Sequence, residues 1–290
     1  MPRRKNTPRQ KYILPASVGA LVQEYRDSPE FDRLAPGTKA NYLLALGRLS
    51  PLYRVRVDEI RRRHIIALRN QYRDRPGAAN MIVAVVGVLM KLAVILEYRE
   101  SGIAGVDKLP VGERRRWADR DIAVAMEHFP EHLRRAVILA LYTGQRSGDL
   151  TAMTWAAYDG EGIDVKQQKT GVQLWLPCHP ALKDELDAWR LTATAVTILT
   201  TRSGVPYGKA LPPAAHRAIK SHPQLHGLVF HGLRMTAAAW LAESGCTPHE
   251  IASITGHKTL AMIEHYTAGA DQVRRAKAAI FKLQEHTSSY

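Results

Sequence analysis

Arg146, Lys169, His231, Arg234, His257 and Tyr266 have the types and the order that metal-free attack on a phosphodiester demands. Such attack builds negative charge on the non-bridging phosphate oxygens. Guanidinium groups meet that charge best, being permanently charged and able to donate two parallel bonds. Arg146 and Arg234 are the candidate clamp, each worth about 10²–10³ in rate by analogy with oxyanion-hole deletions. A phenol, with a pKa of about 10, becomes a nucleophile where a cationic site favours its phenolate, which singles out Tyr266. The leaving 5′ oxygen needs a proton, and Lys169 is the candidate donor. His231 and His257 have the groups to hold the phosphate and to handle the phenolic proton. Asp149, three residues after Arg146, is close enough on one helical face to orient its neighbours. This set calls for no metal and no cofactor.

The elements that must carry these residues are legible around them. A strongly apolar helix runs from Pro130 to Tyr142, Thr143-Gly144 closes it, and Arg146 starts the next. Ile163, Val165 and Gln167 alternate, Lys169-Thr170-Gly171 turns, and Val172, Leu174 and Leu176 alternate again. That pattern is a β-hairpin with Lys169 at or near its tip. Leu182, Leu186 and Trp189 mark a helix, and residues 199–210 read as loop. Leu233 to Ser244 is a helix closed by Gly245. Thr247-Pro248-His249-Glu250 is a capping box with proline at the first helical position. Its helix closes at Gly256, so His257 stands just past a helix end. Thr259 caps a following helix that carries Tyr266, and Val273, Ala276, Ile280 and Leu283 form an amphipathic tail.

Ahead of this region the pattern is helical throughout. Val18, Leu21, Val22 and Tyr25 share one face. A second helix starts at Thr38 as N-cap and turns Tyr42, Leu46 and Leu49 inward. A third carries Ile60, Ile65, Leu68 and Tyr72 among Arg61, Arg62, Arg63 and Arg69. A fourth, from about Ala78 to Tyr98, is apolar nearly all round and belongs at the centre of a small bundle. The expected division is a basic tail (1–12), a helical DNA-clamping domain (13–101), a linker (102–116) and a catalytic domain (117–290). Asp119 is the expected cap of the first helix after the linker. The fold class is mainly α with a small antiparallel β-sheet (α+β).

Composition narrows the partner. A formal charge of +14 favours a polyanion. The excess is uneven, since residues 1–110 carry 20 Lys and Arg against 10 Asp and Glu. Arg61, Arg62 and Arg63, with Arg114, Arg115 and Arg116, are the candidate DNA contacts. Cys178 and Cys246 match no metal spacing and read as small core residues, which suits a reducing cytoplasm. No apolar segment follows the basic start, and the longest apolar run, Met81 to Met90, ends at Lys91, short of the ~20 residues of a membrane span. The expectation is a soluble protein with no membrane partner.

Together these boxes resemble the tyrosine recombinases of the phage-integrase family. Thr143-Gly144-Gln145-Arg146-Ser147-Gly148-Asp149-Leu150 is similar to that family's first arginine box, and Lys166 to Gly171 to the lysine hairpin of lambda-type integrases. His231-Gly232-Leu233-Arg234 and Gly256-His257 through Tyr266 match the remaining boxes. The chain departs from the common pattern at Asp149, where glutamate is commoner, at Met235, where many members have histidine, and at Thr255, where leucine is usual.

The resemblance implies a helical core-binding domain before a catalytic domain. It also implies a 3′-phosphotyrosyl link through Tyr266, a 5′ hydroxyl protonated by Lys169, and no need for ATP. The implied partners are double-stranded DNA, a homo-tetramer on two recombining sites and accessory directionality proteins, in the cytoplasm of a bacterial cell or phage-infected host. The implied role is integration and excision of a phage or genomic island. The alternatives are a dimer-resolution recombinase of the Xer type, a type IB topoisomerase, and a non-catalytic DNA-binding or architectural protein.

Overall fold

The computed structural model describes residues 14–112 and 115–259, together with 263, 276, 277, 279–281, 283 and 284. It separates into two compact units, residues 1–112 and 113–290. The architecture is mainly α with one two-stranded antiparallel sheet.

The first unit is a helical bundle. Its helices are α1 (Val18–Arg26), α2 (Pro29–Asp32), α3 (Pro36–Arg48), α4 (Arg62–Asn70) and α5 (Pro76–Ile95). Ser17 caps α1 by accepting from the Ala20 amide at 3.2 Å, and Ser28 caps α2 from the Phe31 amide at 3.2 Å. α3 begins two residues before Thr38, because Pro36 occupies its first turn, where a fixed φ and a missing N–H cost nothing. α5 packs against α1, α3 and α4. Ile82, Val85 and Leu89 of α5 join Leu21, Leu46, Ile60 and Ile65 in the core. By length and composition α5 could cross a bilayer, but its buried face is the centre of this bundle. The 102–112 stretch is tied down as well. Asn80 Nδ2 donates to Leu109 O at 2.8 Å, the Leu109 amide returns a bond to Asn80 Oδ1 at 2.7 Å, and Ile103 and Val106 lie against the core.

The second unit contains α6 (Asp119–His128), α7 (Glu131–Thr143) and α8 (Ser147–Ala152). Strands β1 (Gly162–Lys166) and β2 (Gln173–Pro177) follow, then α9 (Pro180–Leu191), α10 (Leu211–Lys220), α11 (Gly232–Glu243) and α12 (Pro248–Thr255). α11 packs against both α7 and α12. The strands pair from Gly162↔Pro177 to Lys166↔Gln173, so residues 167–172 form the turn. The sequence reading assigns no element to residues 211–220, which form α10. Pro212 and Pro213 fall in its first turn, and Leu211, Ala215 and Ile219 supply a buried stripe four residues apart. The cap of α6 also differs from expectation. Asp119 is its first residue, and the Asp121 carboxylate accepts from the Ala118 amide at 2.8 Å. The capping box of α12 is present, with Thr247 and Glu250 exchanging bonds of 2.6 and 3.3 Å. Cys178 and Cys246 are half-buried free thiols.

Trp117 fixes where α11 starts. Its ring is buried, its Nε1 donates to Val229 O at 3.0 Å, and its backbone N–H and C=O both bond the Thr236 hydroxyl. This packing explains the glycine of the His231-Gly232-Leu233-Arg234 box, since a Cβ on Gly232 would stand 2.8 Å from Arg115 O and 2.9 Å from the Trp117 ring.

Candidate active site

The ends of four elements meet at one place: the C-terminus of α7, the start of α8, the hairpin turn and the C-terminus of α12. α11 supplies the residue between them. Arg234 is only 2% exposed, and burying a charge there requires strong partners. Its Nη1 donates at 2.7 Å both to Gly144 O, the C-cap of α7, and to Thr255 O, the last residue of α12. Two helix C-termini therefore direct their partial negative charge at one guanidinium.

Arg146 is the N-cap of α8, with its side chain 20% exposed. Its Nη1 donates to Gln167 Oε1 at 3.0 Å and lies 3.9 Å from Asp149 Oδ2. Asp149 is buried, and its Oδ1 accepts from the Gln168 amide at 2.8 Å. One carboxylate thus faces the first arginine and holds the backbone of the hairpin turn.

His257 follows the left-handed C-cap Gly256. Its Nδ1 lies 2.7 Å from the Thr255 hydroxyl, which donates its own proton to Ile251 O at 2.6 Å. The hydroxyl therefore accepts, Nδ1 carries the ring proton, and Nε2 carries the lone pair. Burial, with the charges of Arg234, Arg146 and His231, pushes the His257 imidazole down to about 4. It is neutral at physiological pH. His231, the half-buried N-cap of α11, is close enough to contribute to that shift. Gly256 is required twice over: its φ is +67°, and a Cβ there would stand 2.4 Å from Gln167 Nε2.

The structure thus brings together Arg146, Asp149, His231, Arg234 and His257. Lys169 is exposed in the hairpin turn, between Gln168 and Thr170, which are both bonded to this cluster. Tyr266 lies outside the described residues. Ile263, three positions earlier, is fully buried in a cluster with Ala238 and Ala242 of α11 and Ile251 of α12.

The arginines proposed as DNA contacts fall into two groups. Arg61, Arg62 and Arg63 are exposed on the first unit, with Arg61 donating to Asp58 O. Arg115 and Arg116 have protein partners, Asp121 at 2.7 Å and Glu243 at 2.6 Å. Burial alone would raise the Asp121 pKa, but the Arg115 guanidinium and the Ala118 amide hold it below the usual carboxylate range. Arg114 lies outside the described residues.

Three residues of this cluster went unassigned in the sequence: Gln145, Gln167 and Thr255. Gln167 left a signal, because it occupies the inward phase of the Ile163, Val165, Gln167 alternation. A polar side chain at an inward position must find partners. Thr255 registered only as a departure from leucine.

The family model described as "Phage integrase family" matches residues 120–273, more than half of the chain, and the chain belongs to that family. Among curated proteins, the integrase of Escherichia phage HK022 is 30% identical over 134 residues, covering 43% of this chain and 37% of that one. The integrase of Escherichia phage lambda is 25% identical over 232 residues, covering 72% and 64%. The chain therefore spans between about a third and two thirds of the length of these relatives.

Among solved structures, a lambda integrase dimer bound to a COC′ core site superposes with a TM-score of 0.75 at 24% identity, over 87% of this chain and 77% of that one. The Tn1549 transposon integrase in complex with a circular intermediate DNA gives 0.71 at 13% identity, over 89% and 99%. At these identities the likeness establishes the fold.

Proposed function

We propose that the chain is a site-specific DNA recombinase that cuts and rejoins DNA through a covalent tyrosine intermediate and serves integration and excision of a mobile element. The Tyr266 phenolic oxygen forms a bond to phosphorus while the P–O5′ bond breaks, and its electron pair leaves with O5′. Lys169 gives that oxygen a proton, and the phenolic proton passes to an imidazole of the His231 and His257 pair. Arg146 and Arg234 bind the non-bridging oxygens, where negative charge grows most in the transition state. The 5′ hydroxyl of a partner duplex then attacks the 3′-phosphotyrosyl link, so the bond energy is kept and neither ATP nor a metal is consumed.

The observation that carries this reading is the convergence of two guanidiniums and two imidazoles beside a lysine-bearing turn. The basic residues 13–101, with exposed Arg61, Arg62 and Arg63, suit a DNA clamp, and 117–290 suits the catalytic domain. The lambda integrase tetramer bound to a Holliday junction, TM-score 0.72 at 24% identity, supports a tetramer of this chain on DNA.

A supercoiled plasmid carrying two copies of the element's attachment site tests the reading. Products with one defined junction are expected. Relaxation of supercoils without such products points to a topoisomerase, and binding without either change points to an architectural protein.

A further inference from the structure

Gln167 is 0% exposed, and its amide is saturated. Oε1 accepts from Arg146 Nη1 at 3.0 Å and from the Thr170 hydroxyl at 2.7 Å. Nε2 donates to Gln145 Oε1 at 2.7 Å and to Thr255 O at 2.8 Å. The orientation of the amide is fixed by chemistry, since flipping it would set NH₂ against a guanidinium and oxygen against a carbonyl. Its backbone closes the turn, with Gln167 N donating to Val172 O and Gly171 N donating to Gln167 O, both at 2.8 Å.

We infer that Gln167 is a positioning residue that latches the Lys169 turn to the two arginines, so that the general acid and the phosphate clamp are held as one unit. The latch reaches both guanidiniums. It touches Arg146 directly, and it shares the Thr255 carbonyl with Arg234, whose Nη1 bonds the same oxygen at 2.7 Å. On the other flank of the turn, Asp149 Oδ1 holds the Gln168 amide and Gly148 O holds Gln168 Nε2 at 3.0 Å. Lys169 is therefore flanked by Gln168, fastened to the start of α8, and by Thr170, fastened to Gln167. The turn cannot shift without breaking bonds to groups that would bind phosphate. Gly256 belongs to the same device, because its missing side chain makes room for the Gln167 amide.

No other residue type reproduces the set. Glutamate cannot donate to Thr255 O and Gln145 Oε1, and leucine offers neither an acceptor to Arg146 and Thr170 nor a donor to Gln145 Oε1 and Thr255 O. The inference rests on the proposed recombinase chemistry, and its test separates the two.

The full-length chain and Gln167→Ala are compared on a nicked duplex whose sequence the wild-type chain has selected from random DNA. One version carries the ordinary 5′ bridging oxygen and another carries sulfur in its place. A thiolate leaves without a proton because thiols ionise near pH ~8.5, far below alcohols, so the sulfur duplex does not need the lysine. Gln167→Ala is expected to bind the duplex like wild type and to form covalent adduct roughly 10- to 100-fold more slowly on oxygen, the range of a misplaced general acid. On sulfur the deficit is expected to shrink several-fold. Equal deficits on both duplexes, or none on either, overturn the latch.

Hydrogen exchange on the DNA-free chain is the second measurement. Residues 166–172 are expected to lose protection in Gln167→Ala while α7 and α11 keep theirs, and unchanged protection of the turn overturns the latch. A wild-type chain that forms no adduct on either duplex refutes the recombinase chemistry, whatever the exchange result.

Discussion

The two units bury different things. Among the described residues, and tyrosines aside, the first unit buries one polar side chain, Ser17, whereas the second buries ten. Eight of those ten (Thr143, Gln145, Asp149, Thr151, Gln167, Arg234, Thr255 and His257) lie on the segments that form the candidate site. Apolar burial stabilises wherever it occurs, so a bundle like the first unit tolerates many sequences. Buried polar groups are costly unless every partner is in place, so a cluster of them marks where geometry is being held for a purpose. The comparison teaches that the second unit is organised around its polar cluster as much as around its core.

Four experiments sharpen or break this contrast. The largest effect is expected at Arg234. Arg234→Leu is predicted to slow single-turnover adduct formation about 10²–10³-fold, with the chain still folded by circular dichroism. A loss under threefold would mean that the buried guanidinium is structural only. In the first unit, Leu89→Ala at the fully buried centre of α5 is predicted to cost about 2–5 kcal/mol in denaturant unfolding. The adduct rate per folded molecule should not change, and a matching loss of rate would erase the distinction between the units.

Third comes His257. Its imidazole is held at about 4 in the folded chain and takes a proton near 6.5 when unfolded. Between those values the unfolded chain binds more protons, so stability falls as pH drops through that window and is flat above it. The contribution is up to about 3 kcal/mol. His257→Asn should remove that part of the acid sensitivity between pH 6.5 and 4, and identical slopes for variant and wild type would contradict the buried neutral imidazole. The smallest effect is expected from Thr247→Ala, which removes the cap of α12 at a cost of about 1 kcal/mol. Because α12 ends at the Thr255 carbonyl that both Arg234 and Gln167 use, its adduct rate should fall modestly as well. A stability loss with no change in rate would show that the start of α12 does not position its end.

Legibility in the sequence follows the same contrast. The bundle could be read because Val18, Leu21, Val22 and Tyr25 repeat at helical spacing and the stretch from Ala78 to Tyr98 is apolar nearly all round, and such patterns are local information. The capping box at Thr247 and the hairpin around Lys169 could be read for the same reason. α10 could not, because Pro212 and Pro213 serve equally well to break a helix or to begin one. The polar cluster was legible only in its ionisable members. Arg146, Arg234 and His257 announce themselves by type. Gln167 and Thr255 matter through partners 21 and 88 residues away in the chain, and no local pattern encodes those distances.

Digestion of the trapped covalent adduct, followed by mass spectrometry of the peptide that bears the nucleotide, tests the central claim most directly. The predicted result is a nucleotide on the phenolic oxygen of Tyr266, absent when Tyr266→Phe is used and with DNA binding retained. A nucleotide on any other residue, or an adduct that persists in Tyr266→Phe, would contradict it.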